Sequence, residues 1–192
     1  MTEDLKDILK RYLQSGRDAL LWKLDGLSER QARLPLTGTG TNVLGLVKHL
    51  AGVELGYFRV AFGHPVDLDL PWFAEDADDN ADMWATAEES LDSIAALYRH
   101  VWTLSDATID SLALTDGGVV PWWGPEPVSL QRILIHVIAE THRHAGQVDI
   151  VREQLDGLRG LRLGGANLPP GDAQWWADYV GRLRAVAESF PE

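Results

Sequence analysis

Ile133-Leu134-Ile135-His136-Val137-Ile138-Ala139-Glu140-Thr141-His142-Arg143-His144-Ala145-Gly146-Gln147-Val148 is the stretch whose reading decides the fold. Advancing about 100° per residue from Ile133, a helix brings Val137, Val148, Val151 and Leu155 within about 60° of the Ile133 direction. Glu140 and His144 fall in the middle of that same apolar sector. A carboxylate on a buried face is costly unless something pairs with it. A Glu and a His four residues apart stand side by side on one helix face, close enough to bind a single metal ion. The segment therefore reads both as a core helix and as the place to look for chemistry.

Working outward, Ser129 can cap this helix, which reaches Asp156-Gly157. Before it lies a loop from Thr115 to Pro127, rich in Gly and Pro, that carries Trp122-Trp123-Gly124. Helical spacing of apolar residues also predicts helices from Asp4 to about Leu24, from Thr41 or Asn42 to about Phe62, and from Ala81 to about Leu104. In the last of these, Met83, Trp84, Ala87, Leu91 and Ile94 are read as the inward side. A long acidic loop spans His64 to Asp79; its Glu75-Asp76-Ala77-Asp78-Asp79 run reads as a solvated cap rather than a second cation site. Pro169-Pro170 breaks an irregular stretch, after which Asp172 caps a short final helix holding Trp175-Trp176, expected to pack onto the rest. No segment sustains period-two alternation, so strands are not expected. The predicted class is all-α, a four-helix bundle with a short C-terminal helix, forming a single domain over residues 1–192.

The second helix supplies a further candidate. His49 lies between Leu46, Leu50 and Val53, about 60° from the Leu46 direction at the edge of the inward face. Inward residues of different helices converge in a bundle. His49, Glu140 and His144 would form a two-His, one-carboxylate set with open positions, suited to zinc and also to nickel or ferrous iron. A lone His on an apolar face is more often a hydrogen-bonded core residue; the mid-stripe Glu140 is what favours a metal. His136, one turn before Glu140, reads as a residue beside the site or at its mouth, and His142 points to solvent. Trp122-Trp123 reads either as packing or as a pocket wall over the site.

Composition excludes other classes. A net charge of −12 argues against nucleic acid and against an anionic membrane surface. With no cysteine, there is neither a disulfide framework nor a protein thiol nucleophile, so any thiol chemistry needs a thiol brought in by a cosubstrate. Met1-Thr2-Glu3-Asp4 lacks the basic and apolar regions of a signal peptide, and no apolar run is long enough to span a bilayer, so a cytoplasmic protein is expected. There is no His-Glu-x-x-His motif and no phosphate-cradling glycine pattern.

Leu44-Gly45-Leu46-Val47-Lys48-His49-Leu50-Ala51-Gly52-Val53-Glu54, Pro71-Trp72-Phe73-Ala74-Glu75-Asp76, Asn80-Ala81-Asp82-Met83-Trp84-Ala85 and His136-x-x-x-Glu140-x-x-x-His144-Ala145-Gly146-Gln147 together resemble the DinB/YfiT-like metalloenzymes. Within them, the chain is similar to the actinobacterial branch of mycothiol-dependent maleylpyruvate isomerases and mycothiol S-transferases. The resemblance implies a four-helix bundle, often homodimeric, with one divalent metal held by a His of the second helix and two residues of the fourth. Many members have His at both fourth-helix positions; Glu140 here matches the His, Glu, His set of the isomerase. Carried over, the ligands are His49, Glu140 and His144; Trp122, Trp123 and His136 are expected on the substrate side from their own place around the site. The implied activity is transfer of a low-molecular-weight thiol, mycothiol by resemblance, to a small electrophile, or isomerisation of one. The alternatives are a metal-hydroxide hydrolase using no thiol and a non-catalytic helical dimer with a structural metal.

Overall fold

The computed structural model describes residues 3–74 and 76–191. Four long helices carry the architecture: α1 (Leu5–Trp22), α3 (Val43–Glu54), α4 (Leu91–Ser111) and α5 (Leu130–Asp156), with the short α2 (Glu29–Arg33) between the first two and α6 (Ala173–Glu188) at the C-terminal end. Each long helix starts on a side chain that accepts from an exposed backbone N–H: Asp4, Asn42, Ser90 and Ser129. α5 ends at Gly157, whose φ of 77° is the left-handed conformation that closes a helix. α1 packs along α5, and α3 packs on both α4 and α5. No helix among the described residues is long and apolar enough to cross a membrane.

Two apolar clusters fill the bundle. One gathers Leu20, Leu46, Leu50, Tyr98, Val101 and Val148; the other gathers Leu13, Phe58, Ile109, Ile133 and Val137. A polar layer crosses the waist between them, built from Arg17 of α1, Glu54 of α3, Ser105 of α4, and Thr141 and His144 of α5, all buried. At its centre the Arg17 guanidinium donates twice to Glu54, at 3.0 and 2.5 Å, and once to Asp106 at 2.9 Å. Trp102 lies against the same guanidinium, 5.5 Å from its ring centroid. Burial raises the Glu54 carboxyl above its ordinary value, and the charge of Arg17 works against that rise.

The second helix does not stay α-helical to Phe62. Directly after Glu54 it widens into a π turn over Leu55–Val60, in which Ala61 N–H reaches back to Gly56 at 3.0 Å. Such turns shift the register of every following side chain and recur at functional sites.

Three expectations need correction. The third long helix begins at Leu91, ten residues after Ala81; Ser90 caps it, and Ala81–Met83 forms a separate 3₁₀ turn entered through Asn80 at φ 59°. Strands do occur: β1 (Gly117–Val119) pairs antiparallel with β2 (Pro127–Ser129), a hairpin too short to show alternation in the sequence. Its Val119 N–H donates to Ala61 O at 2.8 Å, which fastens the hairpin to the end of the π turn. Finally, α6 does not pack its tryptophans into the bundle. None of its residues is buried, and Trp175 stacks on Tyr179 at 5.5 Å within the helix itself. Of the acidic run, Asp76, Asp78 and Asp79 are exposed, as a solvated cap requires; Glu75 lies outside the described residues.

The waist pair makes a direct prediction. Arg17→Ala should cost about 3–5 kcal/mol in urea unfolding, because it leaves a buried carboxylate without its partner. The double variant Arg17→Met/Glu54→Leu, which removes both charges, should recover most of that loss. Equal instability of the single and double variants would contradict it.

Candidate functional site

His49, Glu140 and His144 converge at one end of this polar layer, with one donor atom from each within 4.8 Å of the others. α3 brings His49 and α5 brings the other two, one helical turn apart. His144 Nε2 lies 3.0 Å and His49 Nε2 3.9 Å from Glu140 Oε1, and the two imidazole rings meet edge to face at 4.9 Å. His144 is nearly buried, whereas His49 and Glu140 keep 20% and 31% of their side-chain surface open. The group therefore has a closed side toward the core and an open side toward solvent.

Each imidazole is held by its other nitrogen. His49 Nδ1–H donates to Asp82 Oδ2 at 2.6 Å, and His144 Nδ1–H donates to Gln147 Oε1 at 2.7 Å. With Nδ1 of each ring engaged, both Nε2 atoms are left facing Glu140. Metal-ligating histidines are commonly oriented in this way. The hydrogen bond from His49 holds the Asp82 carboxyl below its ordinary range, against the effect of burial. Two nitrogen lone pairs, one carboxylate and an open side fit a divalent ion of the zinc, nickel or ferrous iron kind.

Asp82 and Gln147 carry no role in the sequence reading. Gln147 follows His144 by three residues, a helix-face spacing that could have marked it. Asp82 sits on the 3₁₀ turn, which packs against α3 because Gly45 has no side chain: a Cβ there would overlap the Met83 carbonyl. Two turns on, a Cβ at Gly52 would overlap the Phe73 ring, and one at Gly56 would meet Trp122 at 3.0 Å. The glycines of this helix let three separate loops approach it closely.

Those loops wall a cavity of about 910 Å³ that opens onto His49, Asp82 and Glu140. Its walls are mostly apolar: Val53, Val60, Leu68, Phe73 and Trp122 among them, with Tyr57 and His136 at one side. Tyr57, from the π turn, is the hub of that side. Trp122 Nε1–H donates to its hydroxyl at 3.2 Å, and its ring meets those of Trp122, Trp123 and His136 at 5.2, 5.4 and 4.7 Å. Trp122 and His136 thus face the cavity together. Trp123 is not part of its lining; it packs behind, edge to face on His136 at 4.7 Å, with Arg132 against its ring. His142 is exposed, with Nε2 at 3.0 Å from the Tyr12 carbonyl, well apart from this group.

Comparison with known proteins bears on the fold and on the family. The chain superposes on a crystal structure of a conserved protein from Enterococcus faecalis with a TM-score of 0.58 and 15% identity, covering 82% of this chain and all of the other. At that identity the likeness concerns the fold. No curated protein matches the sequence. The mycothiol-S-transferase (MST) family matches residues 8–157, which include α3, α4, α5 and all but the first three residues of α1, with His49, Glu140 and His144. The chain belongs to the mycothiol-S-transferase family, a DinB/YfiT-like family.

Proposed function

We propose that this protein is a divalent-metal-dependent transferase that activates a low-molecular-weight thiol, mycothiol in the first instance, for attack on a small electrophile. The observation that carries the reading is the pair of imidazoles whose Nδ1 atoms are engaged by Asp82 and Gln147, leaving both Nε2 atoms beside Glu140, with His49 and Glu140 on the wall of an apolar cavity. His49, Glu140 and His144 are the proposed ligands, zinc being the first ion to test, with nickel and ferrous iron accommodated by the same donors. Such an ion, when bound, brings thiol ionisation into the neutral range.

The other roles belong to this chain's own residues. Asp82 and Gln147 fix the two rings, so that the donors are oriented before anything binds. Glu140 contributes the only negative charge among the three proposed ligands. Tyr57 and Trp122 hold the electrophile against the open side, with His136 at the same wall. The apolar walls exclude water, which would otherwise compete with sulfur for the electrophile. Because the chain has no cysteine, the sulfur must arrive with the cosubstrate, and no protein thiol competes for the electrophile.

Two measurements test this. Purified protein should carry about one divalent ion per chain by mass spectrometry, and Glu140→Ala should lose both the ion and thiol-dependent turnover. A Glu140→Ala variant that keeps both would remove the ligand assignment, and turnover of an activated ester without added thiol would favour the hydrolase instead. Asp82→Ala, which leaves the three proposed ligands intact, should weaken metal affinity by about 10–100-fold in chelator competition. Unchanged affinity would mean that Asp82 does not orient His49.

A further inference from the structure

The cavity has a charge as well as a shape. Asp69, Asp82 and Glu140 line it, and among the described residues no Lys or Arg does. The nearby cations are committed elsewhere. Lys48 Nζ donates to Glu89 at 2.9 Å and to the Trp84 carbonyl at 3.0 Å, with its ammonium over Trp72. Arg59 donates to Thr108 and to the Pro65 carbonyl, and Arg132 lies against Trp123 behind the wall. Asp69 is exposed between Leu68 and Leu70, both on the cavity wall, which puts its carboxylate at the rim.

The arithmetic decides what can enter. With both imidazoles as neutral ligands, Glu140 and Asp82 offset the two charges of a divalent ion. An ionised cosubstrate thiol and Asp69 then leave the cavity net negative, within a chain of the same sign. A carboxylate on the incoming electrophile would lose water against apolar walls, find no Lys or Arg among the described lining residues to pair with, and meet an ion whose charge Glu140, Asp82 and the thiolate already offset. A neutral ring or alkyl group meets Phe73, Trp122 and Val60 at no such cost.

We infer that this cavity selects uncharged, apolar electrophiles and excludes anionic ones, with Asp69 at the rim as a specificity-determining residue. The inference rests on the thiol-transfer reading above. For an activated aryl chloride the reaction is a substitution: the thiol proton leaves to solvent, sulfur forms a bond to the ring carbon, and the C–Cl bond breaks with its electron pair leaving on chloride.

The test uses probes matched in shape and differing in charge. 3,5-Dinitrobenzamide and 3,5-dinitrobenzoate have no leaving group, so both can be titrated calorimetrically into zinc-loaded protein with mycothiol present. The amide should bind at least about tenfold more tightly than the benzoate, the size expected of an unpaired charge in a partly desolvated site. Asp69→Lys, which changes the rim by two charge units, should shrink that ratio by about threefold or more. Benzoate binding as tight as the amide, a ratio unmoved by Asp69→Lys, or no binding of either probe would each overturn the inference. Turnover of 4-chloro-3,5-dinitrobenzamide against 4-chloro-3,5-dinitrobenzoate, followed by chloride release, separates the two proposals. Equal thiol-dependent turnover of both sinks the charge selection alone. Amide-selective binding without thiol-dependent turnover leaves the selection standing and sinks the transferase reading.

Discussion

The rest of the structure depends on the burial of Arg17 against Glu54. An apolar bundle of this length could close on itself with hydrophobic contacts from end to end. Here the two apolar clusters are instead separated by a layer in which each long helix contributes a polar group. Two charges out of water hold only if their geometry is satisfied, and this pair is doubly hydrogen-bonded with Asp106 taking a remaining donor. Apolar faces can slide past one another by a turn at small cost, whereas this pair cannot. It therefore fixes the register of α1 against α3, and with it the height at which His49 faces α5.

The position of Glu54 matters for a second reason: it is the last α-helical residue before the π turn. The widened turn rotates Gly56, Tyr57 and Val60 toward the cavity, where a continued α-helix would present other residues. Tyr57 then gathers Trp122, Trp123 and His136, and the hairpin is tied to Ala61 at the end of the same turn. One buried ion pair thus lies upstream of both the donor geometry and the aromatic wall, although it touches neither.

What the sequence made legible follows from where each residue sits. Glu140 and His144 could be read because they interrupt a long apolar stripe, and His49 because it borders one. The same argument applied to Glu54, one turn after Leu50, and to Arg17, between Leu13 and Leu20, would have found the waist pair; each looks like an ordinary surface charge only when its own face is ignored. Asp82 could not be read in this way. It lies on a 3₁₀ turn held against α3 by contact with Gly45, and a wheel drawn through Ala81–Leu104 turns Met83 and Trp84 into a helix face and leaves the carboxylate just outside it. The π turn was hidden for a related reason, since its side chains are as apolar as those of a continued helix. α6 misled differently: its two tryptophans are apolar enough to suggest packing, but their rings meet each other, Tyr179 and the Arg159 guanidinium.

The site divides its labour between rigid and variable parts. All three proposed ligands stand on the long helices α3 and α5, where a shift of one side chain would disturb the core. The groups that decide what enters the cavity come largely from loops: the segment from Val66 to Ala74, and the hairpin loop that holds Trp122. Loops tolerate substitution far better than helix faces packed against a core. A fold of this kind can therefore keep one cluster of His and Glu side chains while changing the shape and charge of the cavity beside it. Asp69 belongs to the changeable part, exposed and without a side-chain hydrogen bond or ion pair among the described residues, which makes the charge at the rim a feature that substitution can alter while His49, Glu140 and His144 stay in place.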